Sequence, residues 1–284
     1  EMTYMMREKV MPYLQKFTDG LLLSHTVHIF GMGESQVESV LKEMMVQHEN
    51  PTIAPYAKDG EVLLRVTASG RNREEAKQLI QPVVDEIASI YPEEIYGIDV
   101  DSLQEAAVQA LMEKGMVLAT AESCTGGLIS KRITEIPGAS QVFTCGVCSY
   151  ANEIKESVLF VKHETLEKFG AVSSQTAMEM AEGVRKTSGA DIGVSTTGIA
   201  GPDGGTPEKP VGLVYVGISS DAFSHVLCLH LSRGYREERE YIRYVASSHA
   251  LHLVLKAVKV SPNGSKSSKK IGIGTQGVPD SERN

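Results

Sequence analysis

Residues 116–136 read MVLATAESCTGGLISKRITEI, and their reading decides the fold. The opening MVLATAES has the apolar character of a strand buried on both faces. The pair Gly126-Gly127 then turns the chain into GGLISKRITEI, a helix. Working outward, LQEAAVQALMEKG (103–115) is a helix with a Gly stop, and VFTCGVCSYA (142–151) is a second strand. Short helices follow around 154–169, then a long one over 173–189 with Ser173 as its N-cap. ADIGVSTTGIAG (190–201) is an apolar strand entering a Gly-rich loop, and GLVYVGISS (212–220) and HVLCLHLS (225–232) are further strands. The last helix, 236–258, places Ile242, Val245, Ala246, His249, Ala250, Leu253 and Ala257 on one stripe. Strands alternating with helices of this length imply a layered α/β fold, with helices on both faces of a sheet.

Upstream lies a smaller α/β unit. LLLSHTVHIF (21–30) reads as a strand and SQVESVLKEMM (35–45) as an amphipathic helix. EVLLRVTAS (61–69) is an alternating strand, and NREEAKQLIQPVVDEIASIY (72–91) a helix that Pro82 should kink or locally unwind. This β-α-β-α stretch ends at the acidic segment PEEIYGIDVDSL (92–103), the expected boundary. Residues 1–19 read as a helix, the remnant of something larger upstream. Residues 261–284 are polar and aperiodic and are expected to be disordered.

Length and composition agree with two domains. The 284 residues carry 28 − 36 = −8 net charges and are 42% hydrophobic, which excludes collagen-like, coiled-coil and wholly disordered chains. The acidic balance argues against a protein that works by coating nucleic acid or anionic membrane. No apolar run reaches the roughly 20 residues of a membrane span, and the N-terminus lacks the apolar core of a secretory signal, so a cytoplasmic protein is expected. Cys145 and Cys148 have CxxC spacing, but three residues apart on a strand they point to opposite faces and cannot chelate. No histidine forms a metal-ligand pattern, and His249 reads as a core residue. No metal site is expected.

Three segments put small hydroxyls and glycines at strand ends, where α/β folds bind ligands. Thr120–Gly127 offers the N-terminus of a helix plus the hydroxyls of Ser123 and Thr125, a setting for phosphate or carboxylate; an ordinary N-cap is the competing reading. Pro137-Gly-Ala-Ser140, followed by Tyr150 and Lys155, holds the residue types of a serine hydrolase whose base is a lysine made neutral by burial; a turn serine, an interface tyrosine and a solvated lysine are the competing reading. Ser195–Gly205 carries Thr197, Gly201 and Gly204 in a loop that lets backbone approach a ligand. The arginines Arg233, Arg236, Arg239 and Arg243 read mostly as a solvated face, from which one could reach a phosphate.

AESCTGGL (121–128), the run from PGAS through GVCSYANEIK (137–155), GAVSSQTAMEMAEG (170–183) and TTGIAGPDGGTPEKPVG (197–212) together resemble the CinA C-terminal domain, the bacterial nicotinamide-nucleotide amidohydrolase. NPTIAPYAKDGEVLLRVTA (50–68) is similar to the KH-like middle domain of long CinA proteins, and the first twenty residues to the end of their molybdopterin-binding-like (MoCF) domain. The implied boundaries are 1–20 for that remnant, 21–98 for the KH-like domain and 99–260 for the amidohydrolase. The resemblance implies hydrolysis of nicotinamide mononucleotide to nicotinic acid mononucleotide and ammonia, with no metal or redox cofactor. Carried over by motif, Ser140 would be the nucleophile, Lys155 its base and Tyr150 a partner in proton transfer. Ser123, Thr125, Thr197, Gly201, Gly204 and Arg236 would contact the substrate, Arg236 fitting best among the arginines. The family also implies a homo-oligomer. Its competence and DNA-damage name keeps open an alternative function in binding a recombination or DNA-uptake partner.

Overall fold

The computed structural model describes residues 2–14, 20–235 and 237–261. The chain starts with α1 (Met2–Met5), a π-helical stretch Met6–Val10 and α2 (Met11–Leu14). A four-stranded sheet follows, built from β1 (Leu21–Phe30), β2 (Thr52–Lys58), β3 (Glu61–Gly70) and β4 (Ile95–Ile98) in the order β2-β3-β1-β4, antiparallel throughout. Residues two apart share a face, so Val27 and Ile29 of β1 and Leu64, Val66 and Ala68 of β3 form one apolar surface. It is covered by α3 (Glu34–Gln47) through Val37 and Leu41, and by α4 (Arg73–Ile90) through Ile80, Val83, Val84 and Ile87. Asn72 caps α4, accepting from Glu75 N at 2.9 Å.

Two strands here exceed the sequence expectation. β2 carries Pro55, and β4 is four residues long inside the acidic segment assigned to a boundary; both lie at sheet edges, where a missing N–H or a short pairing is tolerated. Helix α4 also runs through Pro82 without interruption. Pro82 is exposed, so the carbonyl it leaves unbonded faces water.

The second sheet has five strands, β5 (Leu118–Glu122), β6 (Phe143–Cys148), β7 (Ile192–Gly198), β8 (Leu213–Ser219) and β9 (Ser224–His230), in the order β6-β5-β7-β8-β9. β5, β6 and β7 are parallel, and β8 and β9 add as antiparallel hairpins. One face is covered by α5 (Leu103–Lys114), α6 (Leu128–Thr134) and α10 (Arg239–Val260), packed through Leu118, Ile129, Ile133, Val194, Val216, Leu251 and Val254. α7 (Asn152–Leu159), α8 (His163–Phe169) and α9 (Ser174–Ser188) cover the other through Leu159, Leu166, Met180 and Val184. The layered α/β architecture with helices on both faces is thus observed. The chain leaves β5 through α6 on one face and β6 through α7 on the other. Those connections diverge at the carboxyl ends of two adjacent parallel strands, the crevice where such sheets bind ligands.

The two sheets meet through α10. Phe30 at the end of β1 sits against the rings of His249 and His252, with centroids 4.9 and 4.8 Å away. Arg233 pairs with Asp59 at 3.0 Å across the same boundary. No described helix is long and apolar enough to cross a membrane.

Candidate active site

β5 ends on Glu122, whose side chain is fully buried. Its carboxylate accepts from Ile129 N at 3.0 Å, Ser130 N at 2.9 Å, Ser130 Oγ at 2.8 Å and Thr125 Oγ1 at 2.7 Å. The first turn of α6 is therefore capped by the protein's own anion, which interacts favourably with the positive end of the helix. This corrects the expectation that the helix N-terminus is open for a phosphate. It also corrects Thr125, whose buried hydroxyl is turned inward to Glu122 and to Thr196 Oγ1 at 2.7 Å. Gly126 and Gly127, at φ 60° and 92°, make the tight reversal; a Cβ on Gly127 would lie 3.3 Å from Cys148 Sγ.

Ser123 stands between Glu122 and that reversal, its N–H donating to Thr196 O at 2.9 Å. The end of β6 is joined to the same point, because Ser149 N donates to Glu122 O at 2.9 Å. From α7, Lys155 reaches back into this junction. Its side chain is 1% exposed, and Nζ lies 2.6 Å from Ser149 O, 3.4 Å from Tyr150 O and 3.3 Å from Ser123 Oγ. Among the described residues no carboxylate accepts from it. Burial pushes its pKa below the usual lysine range, opposed by the nearby Cys124 sulfur. That thiol is itself pushed by burial up to about 12 and is neutral at ordinary pH. A neutral amine has two N–H donors and one lone pair. With the Ser149 and Tyr150 carbonyls taking the donors, the lone pair is left for the hydroxyl proton of Ser123.

Ser140 is elsewhere. It lies in a 3₁₀ turn, Ala139–Gln141, before β6, whereas Lys155 follows β6. Six extended residues separate the two ends by roughly 20 Å, and Ser140 is exposed at the opposite, amino-terminal end of that strand. The structure does not bring Ser140 to Lys155; the hydroxyl it brings there is that of Ser123. Tyr150 contributes its carbonyl to Lys155, while its side chain is 70% exposed. Thr197 is buried and donates to Ala171 O at 2.7 Å, tying β7 to the loop before α9. Gly201 takes φ 77° and its carbonyl accepts from Arg239; Gly204, at φ 88°, is exposed on the loop. Arg236 lies outside the described residues.

Three cations rim the same end of the sheet. Arg243 Nη2 donates to Thr125 O at 2.8 Å, Arg239 Nη1 to Gly201 O at 2.6 Å, and Lys209 Nζ to Phe169 O at 2.7 Å. All three are held by carbonyls, and among the described residues none has a carboxylate within ion-pair distance. Sequence reasoning placed Arg239 and Arg243 on a solvated face because helical periodicity does not show what stands opposite. It also passed over Glu122, although an acid inside the apolar run MVLATAES is a visible signal of a buried, partnered carboxylate. Cys145 and Cys148 do lie on opposite faces of β6, the first half-buried and the second exposed.

The fold and site define a two-sheet α/β protein with a buried lysine–serine pair at the switch point of the larger sheet. Residues 100–258 match the CinA C-terminal domain, and residues 24–97 the damage-inducible protein CinA KH domain. The chain belongs to the CinA family. It is 48% identical over 258 residues to a CinA-like protein of Kosmotoga olearia, covering 91% of this chain and 62% of that one. To a putative competence-damage inducible protein of Clostridium novyi it is 52% identical over 218 residues, covering 77% and 53%. The match thus spans about three-fifths or less of these relatives' own length. Among solved structures, the competence/damage inducible protein CihA of Agrobacterium tumefaciens is similar, with 40% identity and a TM-score of 0.52, over 55% of this chain and 93% of that one.

Proposed function

We propose that the chain is an amidohydrolase converting nicotinamide mononucleotide to nicotinic acid mononucleotide and ammonia, with Ser123 as nucleophile and Lys155 as its base. The observation that carries this reading is the buried Lys155 amine 3.3 Å from Ser123 Oγ, with no carboxylate among the described residues to hold its proton. Lys155 takes the hydroxyl proton as Oγ bonds to the carboxamide carbon. The backbone N–H of Cys124, next after the nucleophile, would donate to the oxyanion. The proton passes from Lys155 to the amide nitrogen as the C–N bond breaks and ammonia leaves. Water then attacks the acyl ester, giving its proton to Lys155, and the acid departs as Ser123 regains its hydrogen. Tyr150 would offer its exposed phenol to the substrate, and the loop through Gly201 and Gly204 would contact it.

The three carbonyl-held cations support an anionic substrate. In a chain of net charge −8, unneutralised positive charge gathered at one sheet end favours a phosphate. The test is ammonia release from nicotinamide mononucleotide. Wild type should release it, Ser123→Ala and Lys155→Met should lose about a thousandfold or more, and Ser140→Ala should stay within about threefold. Loss in Ser140→Ala with retention in Ser123→Ala would return the nucleophile to Ser140. No release from folded wild type would favour the reading carried by the relatives' names, a competence- or damage-associated protein that binds a recombination or DNA-uptake partner. In that case partner binding should survive Ser123→Ala.

A further inference from the structure

Ser149 is completely buried, and its hydroxyl oxygen has no hydrogen-bond partner among the described residues. A buried polar atom without a partner costs roughly 1–3 kcal/mol, so its presence calls for a reason. Its place supplies one. The backbone N–H of Ser149 is bound to Glu122 O and its carbonyl to Lys155 Nζ at 2.6 Å, so the hydroxyl stands on the same residue whose carbonyl holds the Lys155 amine. Along β6, Cys145 and Val147 pack toward the face that carries α7 and α9. Ser149 continues that alternation, toward the side from which Lys155 arrives.

The donor arithmetic of Lys155 changes when it is protonated. The ammonium has three N–H donors, and it has three acceptors: Ser149 O, Tyr150 O and Ser123 Oγ. In the tetrahedral intermediates of the mechanism proposed above, Lys155 holds the transferred proton while Ser123 Oγ is bonded to the carboxamide carbon and is a poorer acceptor. We infer that the Ser149 hydroxyl is a positioning group for Lys155, accepting an N–H of the ammonium in those intermediates until the proton passes on. The inference rests on the amidohydrolase reading for its timing and on the buried, unpartnered hydroxyl for its substance. The ionisable side chain whose charge bears on Lys155 is Cys124, from the turn after β5. Glu122, on that same turn, has its carboxylate oxygens engaged by α6 and Thr125.

Ser149→Ala separates this role from a structural one. Removing an unsatisfied buried hydroxyl should leave Tm unchanged or raise it. Meanwhile kcat for ammonia release should fall about 10- to 100-fold, the size of one hydrogen bond to a charged group, with KM little altered. Where deacylation limits turnover, the acid limb of kcat should move to lower pH, because the ammonium has lost an acceptor. A second arm needs no turnover. In Ser123→Ala, the Lys155 ammonium lacks the nucleophile's oxygen and turns to Ser149. Lysine ¹³Cε NMR should then show Lys155 titrating about one pH unit lower in Ser123→Ala/Ser149→Ala than in Ser123→Ala alone. A lowered Tm with unchanged kcat and equal titration in both backgrounds would overturn the inference, making Ser149 an ordinary packing residue. Absence of ammonia release from wild type would instead overturn the amidohydrolase reading, leaving the titration to decide Ser149.

Discussion

At the scale of single residues, Glu122 and Lys155 are two buried ionisable side chains that are not partners of each other. Glu122 is satisfied by four donors of α6 and its approach and so braces the turn that carries Ser123. Replacing it by Gln sets an NH₂ group against N–H and O–H donors. Glu122→Gln should cost about 2–4 kcal/mol by urea unfolding and should lower kcat through a displaced Ser123. Lys155 is satisfied only by neutral acceptors, so burial favours its uncharged form. Because its pKa is lowered, the active amine accumulates as pH rises through a value below the ordinary lysine range. The rising limb of kcat/KM against pH should therefore lie below pH 10.5. Lys155→Arg, which keeps its proton at every accessible pH, should be inactive across the whole profile. Lys155 was legible in the sequence as the candidate base and Ser123 as a candidate binding residue, but which serine stands beside Lys155 was not. Ser140 lies nearer to Lys155 along the chain than Ser123 does, yet an intervening strand carries it to the far end of β6.

At the scale of elements, helix and strand types followed from periodicity, as for α9 with its Ser173 cap accepting from Thr176 N at 3.2 Å. The elements that escaped were the edge strands β2 and β4, whose pairing is decided by neighbours rather than by their own alternation. Packing between elements adds constraints of its own. A Cβ on Gly183 of α9 would come within 1.8 Å of Leu159 O at the end of α7. Gly183→Ala should destabilise the protein by about 3 kcal/mol and, since α7 carries Lys155, reduce ammonia release more than its population of unfolded chains explains. Thermal melts and kcat on one preparation separate the two effects.

At the scale of the whole molecule, α10 joins the two sheets and carries the residues that make the join pH-sensitive. His249 and His252 flank Phe30, and burial lowers each pKa from 6.5 to about 4. A folded-state value depressed below the unfolded one leaves stability intact above pH 6.5 and removes it as pH falls toward 4. Each histidine costs up to about 1.4 kcal/mol per pH unit in that window. Tm should accordingly fall between pH 7 and 4.5, and His249→Leu should flatten part of that slope; a flat wild-type profile would mean the rings are hydrated. Phe30→Ala should lower Tm by opening the same contact, an effect of about 3–5 kcal/mol for a buried phenylalanine.

Residue order alone determined the layered α/β class, two α/β units, the strand ends at which chemistry could sit and the family motifs along the chain. Those are properties of local periodicity and composition, which act over a few residues. Only the tertiary structure decided which serine meets Lys155, that Glu122 fills the helix N-terminus, that Arg243 and Arg239 turn to the site, and that Ser149 is left without a partner. Each depends on a strand crossing the sheet or a helix packing against it, and distances across the fold are set by that packing rather than by separation along the chain.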